Sequence, residues 1–203
     1  MKNSILALLA VAAMVACKKN ETTAVDQSAD SAAVIAPADT VMDVNDSTVV
    51  SDTSGVANSL SDQDKKFADA AAKGGIMEVM MGQLAATNAN NATVKALGQM
   101  MVKDHGKAND ELTKWASTVG YTLPAGLDAA KQKEYDDLKA KKGADFDRAY
   151  TALMVDDHKK DIAEFKKQAA EGKEASLKSF ADKTLPTLEH HLMESKKAKN
   201  AVK

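Results

Sequence analysis

Residues 91–120 read NATVKALGQMMVKDHGKANDELTKWASTVG, and this stretch decides the fold. Its seam residues Val94, Leu97, Met101, His105, Ala108, Leu112, Trp115 and Val119 are spaced 3, 4, 4, 3, 4, 3 and 4 apart. That period is the mark of a helix with one face turned to partner helices. Gly120 follows the last seam residue and predicts a left-handed C-terminal cap. One seam position is a histidine, so the face that builds the core also carries a titratable group.

Working outward, the same period recurs. Ser61 with Asp64 forms a capping-box-like start for a first helix that buries Phe67, Met77, Met81 and Ala85 and stops in the poor helix formers Asn88 to Asn91. Gly74-Gly75 inside it costs about 1 kcal/mol per glycine against alanine, which a bend or a close helix approach would rationalise. After Tyr121 to Pro124, a short amphipathic helix is predicted near Leu127 to Ala140. A third long helix follows from about Asp145 to Ala170, burying Phe146, Tyr150, Leu153, Met154, Ile162 and Phe165. The fourth buries Leu177, Phe180, Ala181, Thr184, Leu188, His191 and Ser195, and Pro186 within it predicts a kink. The fold expected is all-α: an antiparallel four-helix bundle with an extra short helix in the central crossover.

The chain's beginning is of another kind. Met1-Lys2-Asn3, an apolar run from Ile5 and then Met14-Val15-Ala16-Cys17 resemble a secretory signal ending at a bacterial lipobox. The run from Ile5 to Ala16 is too short to cross a hydrocarbon core of roughly 30 Å as a helix. Cys17 is the sole cysteine, so no internal disulfide competes with lipid attachment. Residues 1–16 are therefore read as a signal peptide. Residues 17–60 are read as a lipidated cysteine and an acidic linker, and 61–203 as the bundle. In the linker, Lys18 and Lys19 face Glu21, Asp26, Asp30, Asp39, Asp43, Asp46 and Asp52 with no aromatic residue, a composition that buries too little to order itself. Extended, it would hold the domain on the order of 100 Å from a membrane. The protein is expected to be exported and anchored in the envelope through Cys17. The absence of an acidic residue after Cys17 favours the outer membrane.

The bundle itself is close to neutral, and the whole chain carries a formal net charge of −2. That excludes an electrostatic footprint for nucleic acid. No glycine-rich phosphate loop, nucleophile–base pair or cysteine motif is present.

The residues that can carry chemistry form an internal echo. Met101-Val102-Lys103-Asp104-His105 matches Met154-Val155-Asp156-Asp157-His158, while the fourth helix adds Glu189-His190-His191 and the first offers Glu78. Counting the rise of about 1.5 Å per residue from each hairpin, Glu78, His105, His158 and His191 come to similar depth, one from each helix. Asp104 and Asp157 stand ready as ligands or as orienting partners, and His190 points to solvent. Taken singly, a core histidine is more often a satisfied polar residue than a ligand. Met77, Met81, Met101 and Met154 read first as core filler, although beside histidine they also suit copper(I).

These segments, with Ala70 to Val79, Phe146 to Tyr150 and Leu185 to Leu192, resemble the signatures of the domain-of-unknown-function 4142 family from about Phe67 to Ala198. The resemblance implies a ferritin-like bundle and an envelope location, and brings no established activity. Its suggestive positions fall on Glu78, Asp104, His105, Asp157, His158 and His191. A di-iron carboxylate centre needs Glu-x-x-His on two helices. Here Val102, Val155 and Leu188 occupy the glutamate positions, so one divalent or copper ion fits better.

Three readings stand, in this order. The first is a non-catalytic structural or interaction lipoprotein, with an envelope protein partner and a polar core that fixes helix register. The second is a bundle binding zinc, iron or copper through Glu78, His105, His158 and His191. The third is a metal-dependent oxidoreductase. A homodimer is compatible with all three.

Overall fold

The computed structural model describes residues 59–203. The expected signal peptide, Cys17 and nearly all of the linker lie outside the described residues. Within them the chain forms α1 (Asp62–Asn88), α2 (Ala92–Val119), α3 (Ala129–Lys139), α4 (Gly143–Glu171) and α5 (Ala175–Ala201). The four long helices make the bundle and α3 lies in the crossover. α1 and α2 form one hairpin and α4 and α5 the other. The hairpins meet through α1 against α4 and α2 against α5, and α3 packs over α1 and α4.

The helix ends follow local chemistry. Ser61 and Asp64 make the reciprocal capping box at the start of α1. Asn91 accepts from the Thr93 N–H at 2.8 Å to start α2, and Gly120 ends it at φ 70°, a left-handed geometry that costs glycine little. Asp128 and Glu174 cap α3 and α5. α5 stays helical through Pro186. The missing N–H there would have met the carbonyl of Asp182, an exposed residue where water can replace the lost bond.

Two buried carboxylates lock one hairpin to the other. Asp64 of α1 accepts from the Gln168 amide at 2.7 Å and from the Lys173 N–H at 3.1 Å, reaching the α4–α5 turn. Asp147 of α4 accepts from the N–H groups of Asn90 and Asn91 at 3.0 and 2.9 Å, reaching the α1–α2 turn. Each helical hairpin thus satisfies the loose backbone donors of the other, and this fixes their relative height. The α1 and α2 backbones come closest at Gly82 and Gly98, where a Cβ on Gly82 would stand 2.6 Å from the Gly98 carbonyl oxygen. Gly75 also meets α2: a Cβ there would lie 1.9 Å from Asn109 Oδ1, whereas one on Gly74 would meet nothing within 4 Å.

The core divides into two apolar halves. Phe67, Leu112, Trp115, Phe165, Leu177 and Leu188 belong to one, and Met81, Leu97, Met101, Phe146, Tyr150 and Met154 to the other. On every long helix one polar residue falls at the junction: Glu78, His105, His158 and His191, all buried.

The Asp147 clamp predicts that Asp147→Ala lowers unfolding stability by about 1–3 kcal/mol, because two donors lose their acceptor. Asp145→Ala, which removes an exposed pair with Arg148, should change it by less than about 0.5 kcal/mol. Urea denaturation of both variants measures the difference.

Candidate metal centre

Three imidazoles converge at the junction. One ring nitrogen from each of His105, His158 and His191 lies within 4.8 Å of the other two, and the ring centroids are 5.2 to 5.5 Å apart. His158 and His191 are fully buried and His105 is 7% exposed. The convergence follows from helix geometry. α2 presents His105 on its seam, α5 presents His191 on its own, and α4 turns His158 inward one turn after Met154.

The hydrogen bonds fix where the protons are. His158 Nδ1 lies 2.8 Å from the Met154 carbonyl oxygen, which can only accept, so that nitrogen carries the hydrogen. His191 Nε2 lies 3.0 Å from Asp104 Oδ2, so it too carries its hydrogen outward. With both rings neutral, His158 Nε2 and His191 Nδ1 are bare lone pairs, and they face each other at 3.3 Å. His105 Nε2 stands 3.4 Å from His158 Nε2. An N–H from His105 could meet the His158 Nε2 lone pair and would leave that of His191 Nδ1 without a donor.

The electrostatics keep the rings neutral. Burial, then the neighbouring His158 and His191 rings, holds His105 well below the ordinary imidazole range. Burial and then His191 bring His158 down to about 4, against the Met154 carbonyl, which favours the charged form. Burial also lowers His191, opposed by Asp104. Neutral imidazoles with bare nitrogens turned inward are the form that binds a metal. A tetrahedral ion with bonds of roughly 2.0–2.1 Å requires nitrogens about 3.3 Å apart. The His158–His191 and His105–His158 contacts, at 3.3 and 3.4 Å, match that spacing, and the three nitrogens together lie within 4.8 Å of one another.

The remaining sequence-predicted residues lie around this centre. Asp104, with a side chain 28% exposed, orients His191 from the far side. Glu78 sits behind His158: its Oε1 is 3.7 Å from Nδ1, the ring nitrogen facing away from the triad, and its Oε2 has no hydrogen-bond partner. Burial, then Asp161 and Asp157, pushes the Glu78 carboxyl well above the usual range. Asp157 is half-buried, pairs with Lys160 at 3.5 Å and stays outside the triad. His190 is exposed. Sequence reasoning missed the Met154 carbonyl, whose role is set by a main-chain atom and leaves no mark in residue type. It also missed Asp161, which the inward-facing period of α4 could have flagged three residues after His158.

The fold and site define a class: a four-helix bundle whose polar layer is a buried cluster of three histidines, two of which, His158 and His191, are oriented by outward hydrogen bonds. The chain belongs to the DUF4142 family (domain of unknown function), whose model matches residues 50–198. A solved structure described as CopM in the Cu(II)-bound form shares the fold, with a TM-score of 0.58 at 15% sequence identity over 68% of this chain and 96% of that one. No curated protein matches.

The lowered histidines set the acid behaviour of the metal-free protein. Each takes up its proton at higher pH in the unfolded chain than in the folded one, so the histidines' contribution to stability is complete above about 6.5 and falls as pH drops toward the folded values, while the raised Glu78 and Asp161 carboxyls work in the opposite sense. Between about pH 6.5 and 5 the thermal midpoint of chelator-treated wild type should fall relative to that of a His158→Gln variant, a difference that isolates the histidine contribution from that of the carboxyls.

Proposed function

We propose that this bundle binds one first-row transition ion between His105 Nε2, His158 Nε2 and His191 Nδ1, and acts as a metal-binding protein of the cell envelope. The observation that carries the reading is the pair of facing lone pairs on His158 and His191 at 3.3 Å, each with its proton tied elsewhere. Such a contact repels unless a cation lies between the nitrogens. To serve as the third ligand, His105 must present a bare Nε2 and carry its hydrogen on Nδ1. A metal bound there would supply Lewis acidity or, for copper, a redox couple.

Each protein group then has a separate part. His105, His158 and His191 donate. Asp104 holds His191 in its tautomer and raises its basicity, as a carboxylate behind a ligating imidazole does, and the Met154 carbonyl does the same for His158. Copper is the leading ion. Imidazole sites bind copper(II) most tightly in the divalent series, the fold neighbour CopM is described in a Cu(II)-bound form, and buried Met101 and Met154 lie one helical turn from two of the ligands. Nothing near the triad resembles a nucleophile–base pair, which favours holding an ion over transforming a substrate. The polar layer reads better as a ligand set than as a purely structural network, because a structural network would pair its lone pairs with donors. Anchored through Cys17, as the sequence suggests, the bundle would hold its ion at the membrane surface.

The test is elemental analysis of mature protein purified without a histidine tag or chelator and reconstituted with copper, zinc or iron. About one equivalent should be retained, and a His105→Ala plus His191→Ala variant should lose it. Asp104→Asn should weaken affinity roughly 10–100-fold. A wild-type protein that retains none of the three ions would return the histidines to the role of polar core residues.

A further inference from the structure

We propose that a cation reaches the histidine triad through an acidic portal between α1 and α4, at Gly74. The inference rests on the metal-binding reading above and asks how an ion crosses to ligands that are almost wholly buried. Two hollows lie in line. Outside is a groove of about 190 Å³ lined by Glu78, Glu134, Asp157, Asp161 and Glu164, with Lys131 and Lys160 as its cations. Inside is a cavity of about 30 Å³, room for one small ion or water, that touches His105. Ala70, Gly74, Asp161 and Glu164 line both.

At Gly74 the boundary carries no side chain. A Cβ at Gly74 would meet no atom within 4 Å, whereas one at Gly75 would strike Asn109. Gly75 is therefore required for packing against α2, whereas a side chain at Gly74, which lines both hollows, would enter open space.

A second observation points inward. Glu78 is 3% exposed and lines the groove. Its Oε2 has no protein partner, and its Oε1 reaches to 3.7 Å from His158. A buried carboxylate oxygen without a donor is costly and gives a passing cation a ligand next to the triad. The opposite face also touches the inner cavity, through Ala108 and Thr184, but there Asp104 and Glu111 are balanced by Lys107 and Lys183. The acidic face therefore draws cations more strongly.

The test follows uptake of cobalt(II) by the metal-free protein, by stopped-flow absorbance, with the amount bound at equilibrium measured alongside. Asp161→Asn plus Glu164→Gln should slow uptake about tenfold, and Gly74→Leu should slow it at least as much, each with the final amount unchanged. Glu111→Gln, on the opposite face, should leave the rate alone. Should Gly74→Leu also lose capacity, the acidic double variant decides by itself. Wild-type rates in both portal variants, or slowing in Glu111→Gln alone, would overturn the portal and leave the metal site standing. A wild-type protein that takes up no cobalt would overturn both.

Discussion

Two imidazole nitrogens without hydrogens, 3.3 Å apart in a buried layer, are the constraint on which the rest of the structure depends. In water such lone pairs would turn to solvent. Here the ring of His158 is held by a main-chain carbonyl and that of His191 by Asp104, and neither can turn without leaving a buried N–H unpaired. The low dielectric of the core magnifies both the repulsion between them and the attraction of any cation placed there. The arrangement also needs helix register. A slip of one turn is about 5.4 Å, more than the separation of the ring nitrogens. The cross-hairpin bonds of Asp64 and Asp147 oppose that slip at the two ends of the bundle.

The bundle is built nearly twice over, and the departure from symmetry gives it direction. Each hairpin supplies a carboxylate to the other's turn, and each contributes one copy of the Met-Val-x-Asp-His segment. In one copy Asp104 meets an imidazole, His191, and orients it. In the other Asp157 meets no imidazole, and after burial and Asp161 its charge helps to raise the Glu78 carboxyl. The α2–α5 side therefore carries an anchored imidazole, while the α1–α4 side carries crowded negative charge. Burial, followed by Asp157 and Glu164, brings Asp161 up to about 7 on that side. One sequence motif used twice has yielded an imidazole support on one face and an acidic groove on the other.

Much of the fold was legible because it rests on period and caps. The seam from Val94 to Val119, the Ser61–Asp64 box and the left-handed Gly120 all report local geometry that residue type alone dictates. The common depth of Glu78, His105, His158 and His191 was also readable, since helical rise converts sequence distance into height. Other features were not. Asp147 binds backbone N–H groups of a turn 56 and 57 residues away, an interaction with no periodic signature. The approach of Gly82 to Gly98 depends on the pairing of two particular helices. Nor could spacing tell that Glu78 stands behind His158, 3.7 Å from the Nδ1 that faces away from the other two imidazoles. Tautomers, which decide the chemistry, come only from the acceptors that each ring finds.

The central claim is that three imidazole nitrogens share one ion, and X-ray absorption at the metal edge of copper- or zinc-loaded protein tests it most directly. The account predicts three imidazole scatterers with first-sphere nitrogen at roughly 2.0–2.1 Å, one of them lost in His158→Ala. A first sphere of oxygen alone, or an unchanged spectrum in that variant, would contradict it.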